Sequence, residues 1–101
     1  MLNANKLALQ AARKVILEYR TQNKRLFEEY KEAYTSIKLA VNDGFDLCYR
    51  FNNNDASLTL YFIDANETEI ELVFREYQEI RVANAFASAY FYAKNLNTLC
   101  F

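Results

Sequence analysis

The sequence predicts an α+β domain in the order α-β-β-β-α: a long N-terminal helix, a three-stranded antiparallel meander, and a second helix that packs with the first on the sheet. Three observations predict it. Residues 4–41 contain no glycine or proline and repeat apolar positions in steps of three and four. Residues 45–75 alternate apolar and polar side chains between short Asn- and Asp-rich turns, and residues 76–95 return to a helical pattern. At 101 residues the chain reads as one domain, 1–101, able to bury a core without disulfides or metal. Eight Phe and eight Tyr supply that core.

The first helix spans about 4–41. Leu9, Ala12, Ile16, Tyr19, Asn23, Leu26, Tyr30, Ala33, Ile37 and Ala40 form its stripe, which Val15, Phe27, Tyr34 and Val41 widen. A stripe that wide suits a sheet or several helices better than a two-stranded coiled coil. Asn42-Asp43-Gly44 ends the helix, because Gly44 tolerates a left-handed backbone, and Lys38 complements the last-turn dipole. Thr21-Gln22-Asn23 is the one place where a break would let both halves pack on the body, with Thr21 or Asn23 as N-cap. Neither is followed three residues on by Glu or Gln, however, and Lys24 and Arg25 carry the wrong sign for a new helix start. Lys24–Glu28 and Arg25–Glu29 pairs also favour helix from 24 onward. The sequence therefore favours one continuous helix of about 55 Å, against about 30 Å for the second helix and about 26 Å for the strands. Its overhang needs cover, and a homodimer through Leu9, Ile16, Tyr19 and Asn23, the last fixing register, provides it.

Strands follow at about 45–52, 57–64 and 68–75. Phe45, Leu47, Tyr49 and Phe51 share one face with Leu58, Leu60, Phe62, Ile70, Leu72 and Phe74. The connections Asn52–Asp55 and Asp64–Glu67 are short, which makes the meander antiparallel. The second helix, about 76–95, opens with Glu76 and Glu79 and is apolar on most sides, with only a narrow strip at Arg81, Asn84, Ser88, Tyr92 and Asn95. Such a helix is covered on most sides.

Composition removes many chemistries. Without histidine there is no His-based triad, and a single glycine excludes the Gly-rich phosphate loops. Cys48 and Cys100 have neither metal nor redox spacing. No cofactor, catalytic group or metal site is expected. Polar residues interrupt both the N-terminus and the apolar 82–101 stretch, so a cytoplasmic protein without a membrane span is expected.

The net charge of −1 is unevenly spread. Residues 1–41 carry eight bases against four acids, a net +4, and residues 42–80 carry nine acids against two bases, a net −7. On the acidic half, the outward positions of the strands mix apolar residues with charge. Asp46, Tyr61, Ile63, Asp64, Glu67, Glu69 and Glu71 form a candidate surface for a protein partner, with apolar anchors inside a charged rim. Carboxylates on a rigid sheet also copy the charge of a phosphate backbone, which fits a nucleic-acid-handling complex as the partner. The alternative on the basic half is direct nucleic-acid binding through Arg13, Lys14, Arg20, Lys24 and Arg25, although these are spread around the helix. A third reading is a divalent-cation enzyme using Asp64, Glu67, Glu69 and Glu71, which lack the spacing of an EF-hand loop. The bland reading of all three is a solvated surface.

In general profile (small, α+β, asparagine-rich, acidic on one face and without catalytic motifs) the chain resembles small inhibitors encoded by phages or mobile elements, of the anti-CRISPR or nucleic-acid-mimic type. No specific motif carries the resemblance. It implies a non-enzymatic inhibitor of a nucleic-acid-handling protein.

Overall fold

The computed structural model describes residues 3–18, 20, 24–42 and 44–99. In chain order these form α1 (Ala4–Glu18), α2 (Lys24–Ala40), β1 (Asp46–Asn52), β2 (Ser57–Ile63), β3 (Glu69–Phe74) and α3 (Tyr77–Leu99). The α+β class, the order of helical, meander and helical segments and the positions of the three strands agree with the sequence reading. Among the described residues, no helix is long and apolar enough to cross a membrane.

The continuous first helix is overturned. α1 and α2 run antiparallel: the Asn5 side-chain amide donates to the Asn42 carbonyl at 3.1 Å, so the start of α1 lies beside the end of α2. The longest dimension of the molecule is 43 Å, too short for the straight helix of about 55 Å. Burial explains the reversal. Ala8 and Ala12 are fully buried and Ile16 is 4% exposed, packed in the same core as α3. A straight helix would leave that face in water. Tertiary packing outweighs the few tenths of a kcal/mol that ion pairs such as Arg25–Glu29 (3.4 Å) add to local helicity. The Arg20 amide donates to the Leu17 carbonyl in a turn at the end of α1. Thr21, Gln22 and Asn23 lie outside the described residues. At its other end α1 is capped by Asn3, whose Oδ1 accepts the Lys6 amide at 3.0 Å.

The sheet has the order β1-β2-β3, antiparallel throughout. Its inward rows are Leu47–Phe62–Ile70, Tyr49–Leu60–Leu72 and Phe51–Leu58–Phe74. α3 lies against β2 and β3, α2 against β3, and α1 packs on α3 and α2. The helices thus cover one face of the sheet, and α3 is enclosed between sheet and helices. Val82, Ala83, Phe86, Ala87, Tyr90 and Ala93 are buried along it, and its alanines allow close approach. An aromatic cluster joins the layers. Phe45 stacks on Tyr90 with centroids 5.3 Å apart and meets Phe62 edge-on at 5.1 Å; Phe62 meets Phe86 at 5.9 Å. The Tyr90 hydroxyl donates to the Phe45 carbonyl at 3.1 Å, giving the buried phenol a partner.

The turns use the residues their conformations demand. Gly44 has φ +81°, the left-handed stop expected after α2. Glu79 reaches back to the Glu76 amide at 3.4 Å, half of a capping box at the start of α3. α3 continues to Leu99, beyond the expected end near residue 95.

Replacing Ala12 with Leu tests the hairpin. Overpacking against α3 should cost about 1–3 kcal/mol in urea denaturation, whereas on a protruding helix the same change stays within about 0.5 kcal/mol.

Candidate functional site

Strand alternation fixes the face opposite the helices. Its rows are Asp46–Ile63–Glu69, Cys48–Tyr61–Glu71 and Arg50–Thr59–Val73. The central strand supplies small or apolar groups and the outer strands supply the charge. Asp46, Cys48, Arg50, Glu69 and Glu71 are exposed, Tyr61, Ile63 and Val73 are half-buried, and Thr59 is only 5% exposed beneath its neighbours. Tyr61 and Ile63 therefore form an apolar stripe flanked by Asp46 on one side and Glu69 and Glu71 on the other. Lys94 of α3 comes within 3.9 Å of the Asp46 carboxylate, a loose and solvated ion pair at the margin of the sheet. No helix packs on this face among the described residues.

Five of the seven residues predicted for partner binding thus share one face: Asp46, Tyr61, Ile63, Glu69 and Glu71. Asp64 and Glu67 sit in the β2–β3 turn at its end. Asp64 Oδ1 accepts the amides of Asn66 and Thr68, each at 2.9 Å, so this carboxylate is committed to the turn. Glu67 follows with φ +64° and donates its amide to the Asp64 carbonyl. Among the described residues no three His, Cys, Asp or Glu side chains come together as a metal site, so the carboxylates considered for a cation do not converge.

The β1–β2 turn is built the same way. Asp55 Oδ1 accepts the Ser57 hydroxyl at 2.6 Å and the Ser57 amide at 3.1 Å. The Ser57 hydroxyl, with smaller help from the Ser57 amide and the charge of Arg75, holds the Asp55 carboxyl below its ordinary value of 3.8.

The hairpin of α1 and α2 rearranges the basic residues. Arg13 faces Lys31 and Lys38 across a groove of about 590 Å³ whose apolar wall includes Leu17, Phe27 and Leu39. Leu39 is 81% exposed and Leu17 46%. Of the residues predicted for nucleic-acid contact, Arg13 alone lines this groove. Lys14 projects about 100° away around α1, Arg20 lies in the turn after it, and Lys24 and Arg25 are exposed at the start of α2. Lys31 and Lys38 escape a linear reading because only the chain reversal brings them to Arg13. Of the residues predicted for self-association, Ile16 is buried and Leu9 is partly buried against the chain's own core. Tyr19 and Asn23 lie outside the described residues. The protruding arm that motivated self-association is absent, since α1 finds its cover within the chain.

Two aromatic residues that alternation assigns to the core also stand out. Tyr49 and Phe51 point to the helix side of β1 yet remain 53% and 50% exposed. Tyr49 reaches Phe91 on α3 at 5.6 Å, and Phe51 has no such ring contact among the described residues.

No protein-family model, curated protein or solved structure matches the chain.

The lowered Asp55 value predicts a pH dependence with a definite sign. Asp55 contributes stability above pH 3.8, and the contribution is lost as pH falls through the lower folded value. Wild-type protein should melt at higher temperature than Asp55→Asn near neutrality, and the difference should vanish on acidification. A gap that persists unchanged in acid would show that the charge of Asp55 is not its source.

Proposed function

We propose that the chain is a non-enzymatic protein-binding module that docks through the open face of its sheet. One observation carries this reading: the face on which no helix packs among the described residues presents a Tyr61–Ile63 stripe between Asp46 and the Glu69–Glu71 pair. Apolar anchors within a polar rim are the usual anatomy of an interface. The strand pairing holds these carboxylates at fixed spacing, which complements a basic groove that otherwise takes a phosphate backbone. The expected partner is therefore a nucleic-acid-handling protein, and the expected effect is inhibition by occupying that groove. Nucleic-acid mimics, among the small inhibitors whose profile the sequence resembles, act in this way.

The test is competitive capture. Immobilised protein should retain a partner from cell extract, and duplex DNA added in excess should release it. Glu69→Lys with Glu71→Lys should reduce retention by at least a factor of ten, since losing charged contacts at an interface costs about 2 kcal/mol or more. Both side chains are exposed, so the fold survives the change. Retention untouched by the double reversal removes the proposal.

A second reading has its own observation, the convergence of Arg13, Lys31 and Lys38 on one groove. It is direct binding of nucleic acid through the helical hairpin. Gel-shift affinity for DNA or RNA should then fall steeply with salt and be lost on replacing all three with Glu. Absence of any shift at low salt discards it.

A further inference from the structure

The two edges of the sheet are treated differently. β3 carries Glu69 and Glu71, exposed carboxylates of the kind that discourage a further strand from pairing. β1 lacks a like-charged pair of this kind, and Lys94 of α3 comes within 3.9 Å of its Asp46. Its seven residues, Asp46–Asn52, pair with β2 in an unbroken register, contain no proline or lysine, and carry one charge of each sign. Tyr49 and Phe51 are about half exposed beside this edge. The outer edge of β1 pairs with no strand among the described residues.

The placement of the two charges selects the occupant. Asp46 and Arg50 stand two residues to either side of Cys48, and all three project from the same face. In an antiparallel pair of two β1 strands centred on Cys48, Asp46 of each copy lies opposite Arg50 of the other. The same register sets the half-exposed Tyr49 opposite Leu47 and the half-exposed Phe51 opposite Phe45 on the helix side, so that each ring lies beside the edge of the partner's core. Opposite charges and aromatic–aliphatic pairs directly across an antiparallel ladder are stabilising. The Lys94 ammonium, 3.9 Å from Asp46 within the chain, is half exposed and leaves that carboxylate 80% exposed, open to a second cation. A register centred on Tyr49 would instead place Asp46 opposite Asn52 and Cys48 opposite Arg50, without the two ion pairs.

We propose that two copies of this chain associate through β1, in the antiparallel register centred on Cys48, to form a continuous six-stranded sheet. The contact has two-fold symmetry and closes on itself. It also sets the two open faces side by side. The inference shares Asp46 with the docking reading, but the two fail separately, since self-association is read from Asp46, Arg50 and the β1 edge, whereas the capture experiment acts on Glu69 and Glu71. A single strand pair with its flanking rings is smaller than a standard interface of about 800 Å² per partner, so the dimer is reversible and dependent on concentration.

Charge exchange tests the register directly. Wild-type protein should shift from monomer to dimer with rising concentration in sedimentation velocity. Asp46→Arg and Arg50→Asp should each stay monomeric, because each places like charges opposite one another at both pairs. An equimolar mixture of the two variants should recover a dimer. In the mixed pair the introduced arginine meets the introduced aspartate, and the native Arg50 of the first variant meets the native Asp46 of the second. In a Cys100→Ser background, diamide oxidation should link Cys48 of one copy to Cys48 of the other, since directly opposed residues have Cα atoms about 4.5–5.5 Å apart, within disulfide reach. Wild-type protein that remains monomeric at every concentration overturns the proposal, and so does a mixture no more dimeric than its components. Should either charge variant lose its far-UV circular dichroism, the Cys48 link decides alone, and its absence under diamide rejects this register.

Discussion

The fold depends on one constraint: α3 is apolar nearly all round and must be enclosed. The sheet side covers one flank of it, where Phe45 meets Tyr90 and Phe62 meets Phe86 of α3, and α1 and α2 pack against it as well. Burial of large aromatic side chains at about 25 cal/mol per Å² of apolar surface is the largest favourable term available to a chain of this size. The entropy of reversing the chain between Glu18 and Lys24 is small beside it. The helical hairpin is therefore a consequence of α3. Tyr90 adds direction to this packing. Its hydroxyl bond to the Phe45 carbonyl ties the middle of α3 to the residue that leads into β1.

Enclosing α3 decides what remains outside. With α1, α2 and α3 on one side, the sheet keeps an open face among the described residues, and strand register determines which groups appear there. Thr59 and Ser57 on the central strand are buried under their neighbours, so the charged side chains of β1 and β3 define the relief of the surface. Helix coverage also stops short of the far end of β1, leaving Tyr49 and Phe51 half in water. The two edges consequently differ in character, one acidic and guarded, the other nearly neutral and aromatic. The opposite pole, where Arg13, Lys31 and Lys38 meet, is produced by the same hairpin that completes the core.

Much of this was legible in the residues. Period-two alternation from Phe45 to Phe74 places every inward strand residue on the correct face, and Gly44 marks the end of the helical segment. Asx chemistry at Asp55 and Asp64 makes the turns tight, and tight turns leave the strands no choice but to run antiparallel. For the same reason Tyr61, Ile63, Glu69 and Glu71 fall together on one surface, since a meander converts local alternation into a shared face. What escaped was the reversal of the N-terminal segment and the contacts that follow from it. Capping and ion-pair arguments at Thr21–Arg25 weigh fractions of a kcal/mol over a few residues. They are outweighed by the burial of Ala8, Ala12 and Ile16 against a helix at the other end of the chain.

The sequence by itself determined the strands and their faces, the turns, the closing helix and the separation of charge into a basic and an acidic half. Each of these is set by side-chain period, backbone propensity or composition over short spans. Only the tertiary structure decided that the N-terminal segment folds back, that Lys31 and Lys38 join Arg13, and that Tyr49 and Phe51 stay half exposed beside the β1 edge. These follow from which apolar surfaces cover one another. That choice is made by total buried area across the whole chain, a quantity to which no single stretch of residues holds the key.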